Sequence, residues 1–240
     1  MTALLSIART HAARKLQHFL WSHPEWWSIA FCGVAWIAML FHSWQHAEHE
    51  NHQSMAYVQE LLYWLLMVPA MMVAFILNEV RAAAIASLWA RRHRAIAGFL
   101  LGYFAPWLVL GIVAAALRDG LWAHTNAAAA LGFVVAAIWQ RTSMHARALA
   151  ACHRRLPLAP IGWRADRDCL RFGGTIGIAC VWSCWPLMLA CTLSGHALVA
   201  MIGGVIVTAL ERWSFRPRAR LVLAGTLALA GYFGVLAALE

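Results

Sequence analysis

The segment CVWSCWPLMLAC places four sulfur-bearing side chains, Cys180, Cys184, Met188 and Cys191, within twelve residues. At about 100° per residue on a helix, Cys184 lies about 40°, Met188 about 80° and Cys191 about 20° from Cys180, so three thiols and a thioether share roughly one quarter of the surface. Soft sulfur ligands select Cu(I) and also suit zinc and iron–sulfur clusters, whereas magnesium and calcium want oxygen. Cysteine and methionine are also ordinary apolar fillers, which leaves packing as the alternative reading of this stripe alone. Pro186 lacks a backbone N–H and so frees the carbonyl of Trp182, a common cause of a kink.

A second sulfur stripe lies in QELLYWLLMVPAMMVAFILNEV. Met71 falls about 40° from Met67 on a helix, and Glu60 and Asn78 about 20° from it, which makes the sulfur face the polar face as well. Polar groups inside a span point into the bundle, so Met67 and Met71 are expected to face other helices. Pro69 loosens the helix between them. Ser28, Cys32, Met39, Ser43 and His46 form a further stripe, which runs into FHSWQHAEHENHQSM. There His42, His46 and His49 stand at i, i+4 and i+7, with His52, Glu48, Glu50 and Met55 close by. Imidazoles at that spacing suit zinc, copper or nickel, and a solvated polar loop is the alternative.

These stripes need helices to position them, and the composition says which solvent the helices see. Of 240 residues, 62% are hydrophobic and 12% charged, about half the charged share of a soluble domain. A spanning helix needs about 20 mostly apolar residues. Seven stretches approach that length: 26–45, 61–80, 96–117, 121–140, 173–193, 196–212 and 221–238. The expected fold is an all-α polytopic membrane protein of seven transmembrane helices, with six as the alternative count, forming one integral membrane domain over 1–240. Eighteen of the nineteen Lys and Arg residues fall before the first span or in alternate loops, and Arg118 alone falls on the other side. The positive-inside rule then puts the N-terminus in the cytoplasm and the C-terminus in the periplasm, with multi-pass insertion in a bacterial inner membrane. Ten of fourteen tryptophans lie at or near proposed span ends, the interfacial position that suits an amphipathic ring. Residues 1–22 read as an amphipathic helix lying on the inner surface. No cleavable signal is expected, because the first apolar stretch is too long and no small-residue cleavage site follows it.

The same charge placement excludes a nucleic-acid footprint as the meaning of the +9 net charge. The largest inner segment, 141–171, is expected to prolong the fourth span as a helix to Arg155 before Pro157 and Pro160 stop it. Asp166 and Asp168 then serve as partners for nearby arginines. Gly98 with Gly102, and Gly203 with Gly204, mark close helix contacts. The seventh span has almost no polar side chain and reads as peripheral. Glu79 beside Arg81 and Glu211 beside Arg212 read as ion pairs or snorkelling groups at inner helix ends. Cys152, His153 and Cys169 lie on the cytoplasmic side, where thiols stay reduced, and no disulfide is expected. No phosphate-cradling glycine loop, H-E-x-x-H or Ser/His/Asp arrangement is present, so no enzyme is expected. Haem is disfavoured because His42, His46, His124 and His196 cluster near the outer surface without a facing pair at mid-membrane.

With those residues assembled, the chain resembles a bacterial family of predicted metal-binding integral membrane proteins. YWLLMVPAMM (63–72) is similar to its W-x-x-M-x-x-A-M-M signature and CVWSCWPLML (180–189) to its C-W-x-L-M segment, with CHR (152–154) and LER (210–212) as weaker echoes. The resemblance implies metal binding, most readily of copper, through Met67, Met71, Met72, Cys180 and Cys184. The combined expectation is a soft-metal protein for Cu(I), with zinc as the second choice, in which the outer His42/His46/His49/His52 cluster feeds a site lined by these residues and Met188. Its partners would be the lipid bilayer and a metal donor or acceptor protein. The alternative is an accessory subunit of a larger membrane complex with no metal of its own.

Overall fold

The computed structural model describes residues 22–47, 57–121, 125–154, 156–213 and 219–239. Nine α-helices occur among them and no strand: α1 (Trp26–Ala47), α2 (Tyr57–Met72), α3 (Leu77–Ala86), α4 (Arg92–Leu121), α5 (Asn126–Trp139), α6 (Ser143–Ala151), α7 (Gly162–Leu193), α8 (Leu198–Trp213) and α9 (Ala219–Leu239). Apart from Ser22, the expected interfacial helix over 1–22 lies outside the described residues. Among the described residues, four stretches are long and apolar enough to cross a membrane: Val58–Phe75, Trp89–Ala116, Gly162–Leu193 and Arg220–Leu239. Trp26–Phe41 and Asn126–Trp139 are apolar but shorter.

Helix α7 is the axis of the protein. Its most apolar window is 72% buried, against 22% for that of α9, which leaves α9 at the periphery as its sequence suggested. Helices α4, α5, α6 and α8 all pack on α7. The closest approach is between α4 and α7, where glycines let backbones touch. A Cβ on Gly102 would collide with the Leu170 carbonyl, one on Gly173 with that of Phe99, and one on Gly177 with that of Tyr103. At the start of this pair, Asp166 receives Arg91 at 2.7 Å and Arg94 at 2.8 Å, while Arg91 also donates to the Gly162 carbonyl. Asp168 instead accepts the backbone N–H of Ala159.

The structure departs from the sequence reading in three places. The helix expected to run on to Arg155 breaks at 140–142, because Thr142 caps a new helix by accepting from the His145 N–H. That helix, α6, ends at Ala151, before either proline. The second apolar stretch is also interrupted: a 3-10 turn, Val73–Phe75, separates α2 from α3. A tighter turn shifts the phase of everything beyond it, and Asn78 accordingly lies exposed while Met67 and Met71 are buried. Finally, Glu79 and Glu211 pair with other elements and not with their neighbours in sequence: Glu211 lies 3.6 Å from His145, Glu79 4.0 Å from His153, and Arg81 3.9 Å from Glu25.

Pro186 lies inside the continuous helix α7, and the carbonyl it frees has a partner. The Trp139 indole N–H donates to the Trp182 oxygen at 3.0 Å, with the Trp139 and Trp182 rings stacked. Where lipid replaces water, a freed carbonyl has no other donor to turn to. Replacing Trp139 by Phe should cost about 1–3 kcal/mol. In a Pro186→Ala background the same change should cost much less, because the substituted residue brings a backbone N–H that donates to that carbonyl; thermal unfolding of the four proteins in detergent measures the coupling.

Candidate metal site

The two principal sulfur stripes face inward, as their periodicity requires. Met67, Met71, Met72, Cys180, Cys184, Met188 and Cys191 are all buried, as are Ser28 and Met39 of α1. Gly204 of α8 brings two of them together: a Cβ there would lie 2.8 Å from Met71 Cε and 3.4 Å from Cys191 Sγ. The Cys191 thiol donates to the Ala200 carbonyl and that of Cys32 to the Ala70 carbonyl, each at 3.5 Å. The Met71 methyl group of α2 and the Cys191 thiol of α7 therefore both stand against the glycine of α8.

Nearer the α6 end of α7 the surroundings become polar. Cys152, the C-cap of α6, places its Sγ 3.6 Å from Cys180 Sγ. Arg212 of α8 donates to Cys180 Sγ at 2.7 Å and, through its other terminal nitrogen, to the Phe75 carbonyl at 3.2 Å. Phe75 closes the 3-10 turn that follows Met72, so one guanidinium ties the methionine segment to the cysteine segment. The Ser183 hydroxyl donates to the Cys180 carbonyl at 2.9 Å and lies 3.4 Å from Cys184 Sγ and 3.9 Å from Cys152 Sγ. Tyr103 of α4 is fully buried near Cys180, its hydroxyl without a hydrogen-bond partner among the described residues. The hydrogen bond to Cys180 and burial both push the Cys152 thiol above its ordinary value.

Beside this cluster is a small cavity lined by Ala136, Trp139, Gln140, Ser183, Cys184, Pro186, Leu187 and Glu211. Its acid, Glu211, faces the buried His145. Among the described residues no three His, Cys, Asp or Glu side chains converge as a metal-binding group. What converges is one pair of thiol sulfurs, Cys152 and Cys180, and a two-sulfur donor set fits a soft ion of low coordination number better than zinc, which asks for four ligands.

The family model for PpoB2, described as a copper chaperone, matches residues 61–236. The chain belongs to that copper chaperone family. No curated protein and no solved structure matches it.

The copper chaperone match spans every sulfur residue from Met67 to Cys191 together with Arg212, and it begins after the histidine-rich stretch. Of that stretch, His42 and His46 lie in the last turns of α1, and His49 and His52 fall outside the described residues. The sequence reading missed three features of this chain. Arg212 was assigned to an inner helix end, and nothing in its local pattern announces a contact with a thiol. Cys152 and Cys180 are 28 residues apart and meet only through the packing of α6 on α7. His196, read as an outer histidine, is buried in the left-handed region (φ 60°), with its ring 5.9 Å from that of Tyr63.

Proposed function

We propose that this chain is an integral membrane carrier of Cu(I) that takes up the ion at its histidine-rich segment and moves it along a face lined by Met67, Met71, Met72 and Met188. Cys180 and Cys184 hold it before delivery to an acceptor protein. The observation that supports this most is the burial of all six of those sulfur side chains inside a member of a copper chaperone family. The large exposed apolar side chains, among them Ile37, Leu101, Val109, Leu131, Ile178, Ile206 and Val235, support a lipid surround. Thioethers bind Cu(I) as neutral ligands and release it readily, whereas thiolates bring charge and hold it. A face that passes from methionine to cysteine is therefore graded in affinity. The family's description as a copper chaperone supports a non-catalytic role, and the place proposed for it is the bacterial inner membrane.

The test is metal uptake. Protein purified in detergent under reducing conditions and offered Cu(I) should retain one or more equivalents through desalting, and offered Zn(II) should retain far less. Absence of retained copper would overturn the reading and favour an accessory subunit whose sulfurs serve packing alone.

A further inference from the structure

We propose that Cys152 and Cys180 form a two-thiolate Cu(I) position whose fixed counter-charge is Arg212, an inference that rests on the copper reading above and assigns it a terminus. The two sulfurs come from different elements and lie 3.6 Å apart, both buried. Two metal–thiolate bonds of about 2.3 Å laid end to end span about 4.6 Å, so the pair needs to open by roughly 1 Å to admit an ion. Cys152 sits where such an opening strains the fold least: it caps the C-terminus of α6, just past the last helical residue, Ala151. As Cu(I) enters, each ligating sulfur is a thiolate and any thiol proton leaves to solvent.

Charge explains why this pair, and not another, suits the ion. A bis-thiolate complex of Cu(I) carries one net negative charge, which is unfavourable in a low-dielectric interior without a partner. Arg212 supplies it at 2.7 Å from Cys180 Sγ. Its guanidinium cannot lose its proton, and its other hydrogen bond is to the neutral Phe75 carbonyl. Among the described residues no carboxylate comes within ion-pair distance of it, since adjacent Glu211 faces His145. The complex and Arg212 together are neutral. A doubly charged ion on the same two sulfurs would instead be left with a net positive site and two vacant positions, which disfavours zinc.

Position gives the pair a role. The Phe75 carbonyl that Arg212 grips lies three residues beyond Met72, so the pair stands where the methionine face ends. Cys152 caps α6 and adjoins the segment that connects it to α7, so the pair joins two elements at that end.

The experiment is a Cu(I) competition titration against a chromophoric chelator, in detergent with reductant present, on the wild type and on Cys152→Ser, Arg212→Gln and Cys169→Ser. The tightest equivalent should weaken at least 100-fold in Cys152→Ser and at least 10-fold in Arg212→Gln, and stay unchanged in Cys169→Ser. X-ray absorption at the copper edge of selenomethionine-labelled wild-type protein supplies a readout that needs no folded variant. The first equivalent should show two sulfur neighbours and no selenium. Selenium in the first shell, or full affinity in Cys152→Ser, overturns the thiolate pair and leaves the copper reading standing. A wild type that takes up no Cu(I) at all overturns the copper reading and the pair with it.

Discussion

Replacing Cys180 and Cys184 together by serine is expected to leave less than about a tenth of the wild-type copper in the purified protein, with its helical content and elution volume unchanged. Serine is close to cysteine in size, and both side chains are wholly inside, so the fold loses little. The metal loses its soft donors, and a hydroxyl oxygen does not replace a thiolate for Cu(I). The single variants should divide unequally. Cys180 faces the Cys152 sulfur and the Arg212 guanidinium, whereas Cys184 has the Ser183 hydroxyl as its polar neighbour. Cys180→Ser alone should therefore weaken binding nearly as much as the double variant, at least 100-fold or about 2.7 kcal/mol. Cys184→Ser alone should weaken it by less than about tenfold, or 1.4 kcal/mol. Metal analysis by mass spectrometry with circular dichroism on the same samples decides the matter. Equal losses from the two single variants would place the ion between Cys180 and Cys184 along α7 and not across to α6.

The parts of this arrangement that sequence could reveal are those set by one uninterrupted helix. The stripe Cys180, Cys184, Met188 and Cys191 is inward because α7 keeps its phase from Gly162 to Leu193, through Pro186, and the freed Trp182 carbonyl finds the Trp139 indole. Where the phase slips, the same reasoning fails. Asn78 was placed with Met67 on the assumption of a regular helix, and the 3-10 turn at Val73–Phe75 turns it outward. What sequence could not reveal is anything fixed by two helices at once. Counting positive charges puts Arg212 at an inner boundary, yet whether it snorkels to the surface or turns back to a thiol depends on how α8 lies against α7. The two short echoes CHR and LER contained Cys152 and Arg212, the residues that meet at Cys180. Their chemistry was legible, and their meeting was not.

The second large effect should come from a residue with no ligand chemistry at all. Gly177 lies where α7 crosses α4, and a Cβ there would stand 2.5 Å from the Tyr103 carbonyl oxygen and 3.1 Å from its carbon. The obstacle is backbone, which cannot rotate aside as a side chain can, so α4 and α7 must separate. Overpacking of a filled interior typically costs 1–3 kcal/mol, and Gly177→Val should fall at or above the upper end, about 3 kcal/mol. For a chain of this size that lowers Tm by roughly 6–12 °C. Gly231 on the peripheral helix α9 is the control: a Cβ there meets nothing within 4 Å, and Gly231→Ala should be neutral or stabilising by up to about 1 kcal/mol through helix propensity. The same separation reaches the metal. The carbonyl that Gly177 crowds belongs to Tyr103, and Gly177 lies one turn before Cys180 on the same helix, so Gly177→Val should weaken Cu(I) binding at temperatures where the protein is still folded, and Gly231→Ala should not. Full copper affinity in a folded Gly177→Val protein would mean that the α4–α7 contact supports the bundle without positioning the thiol.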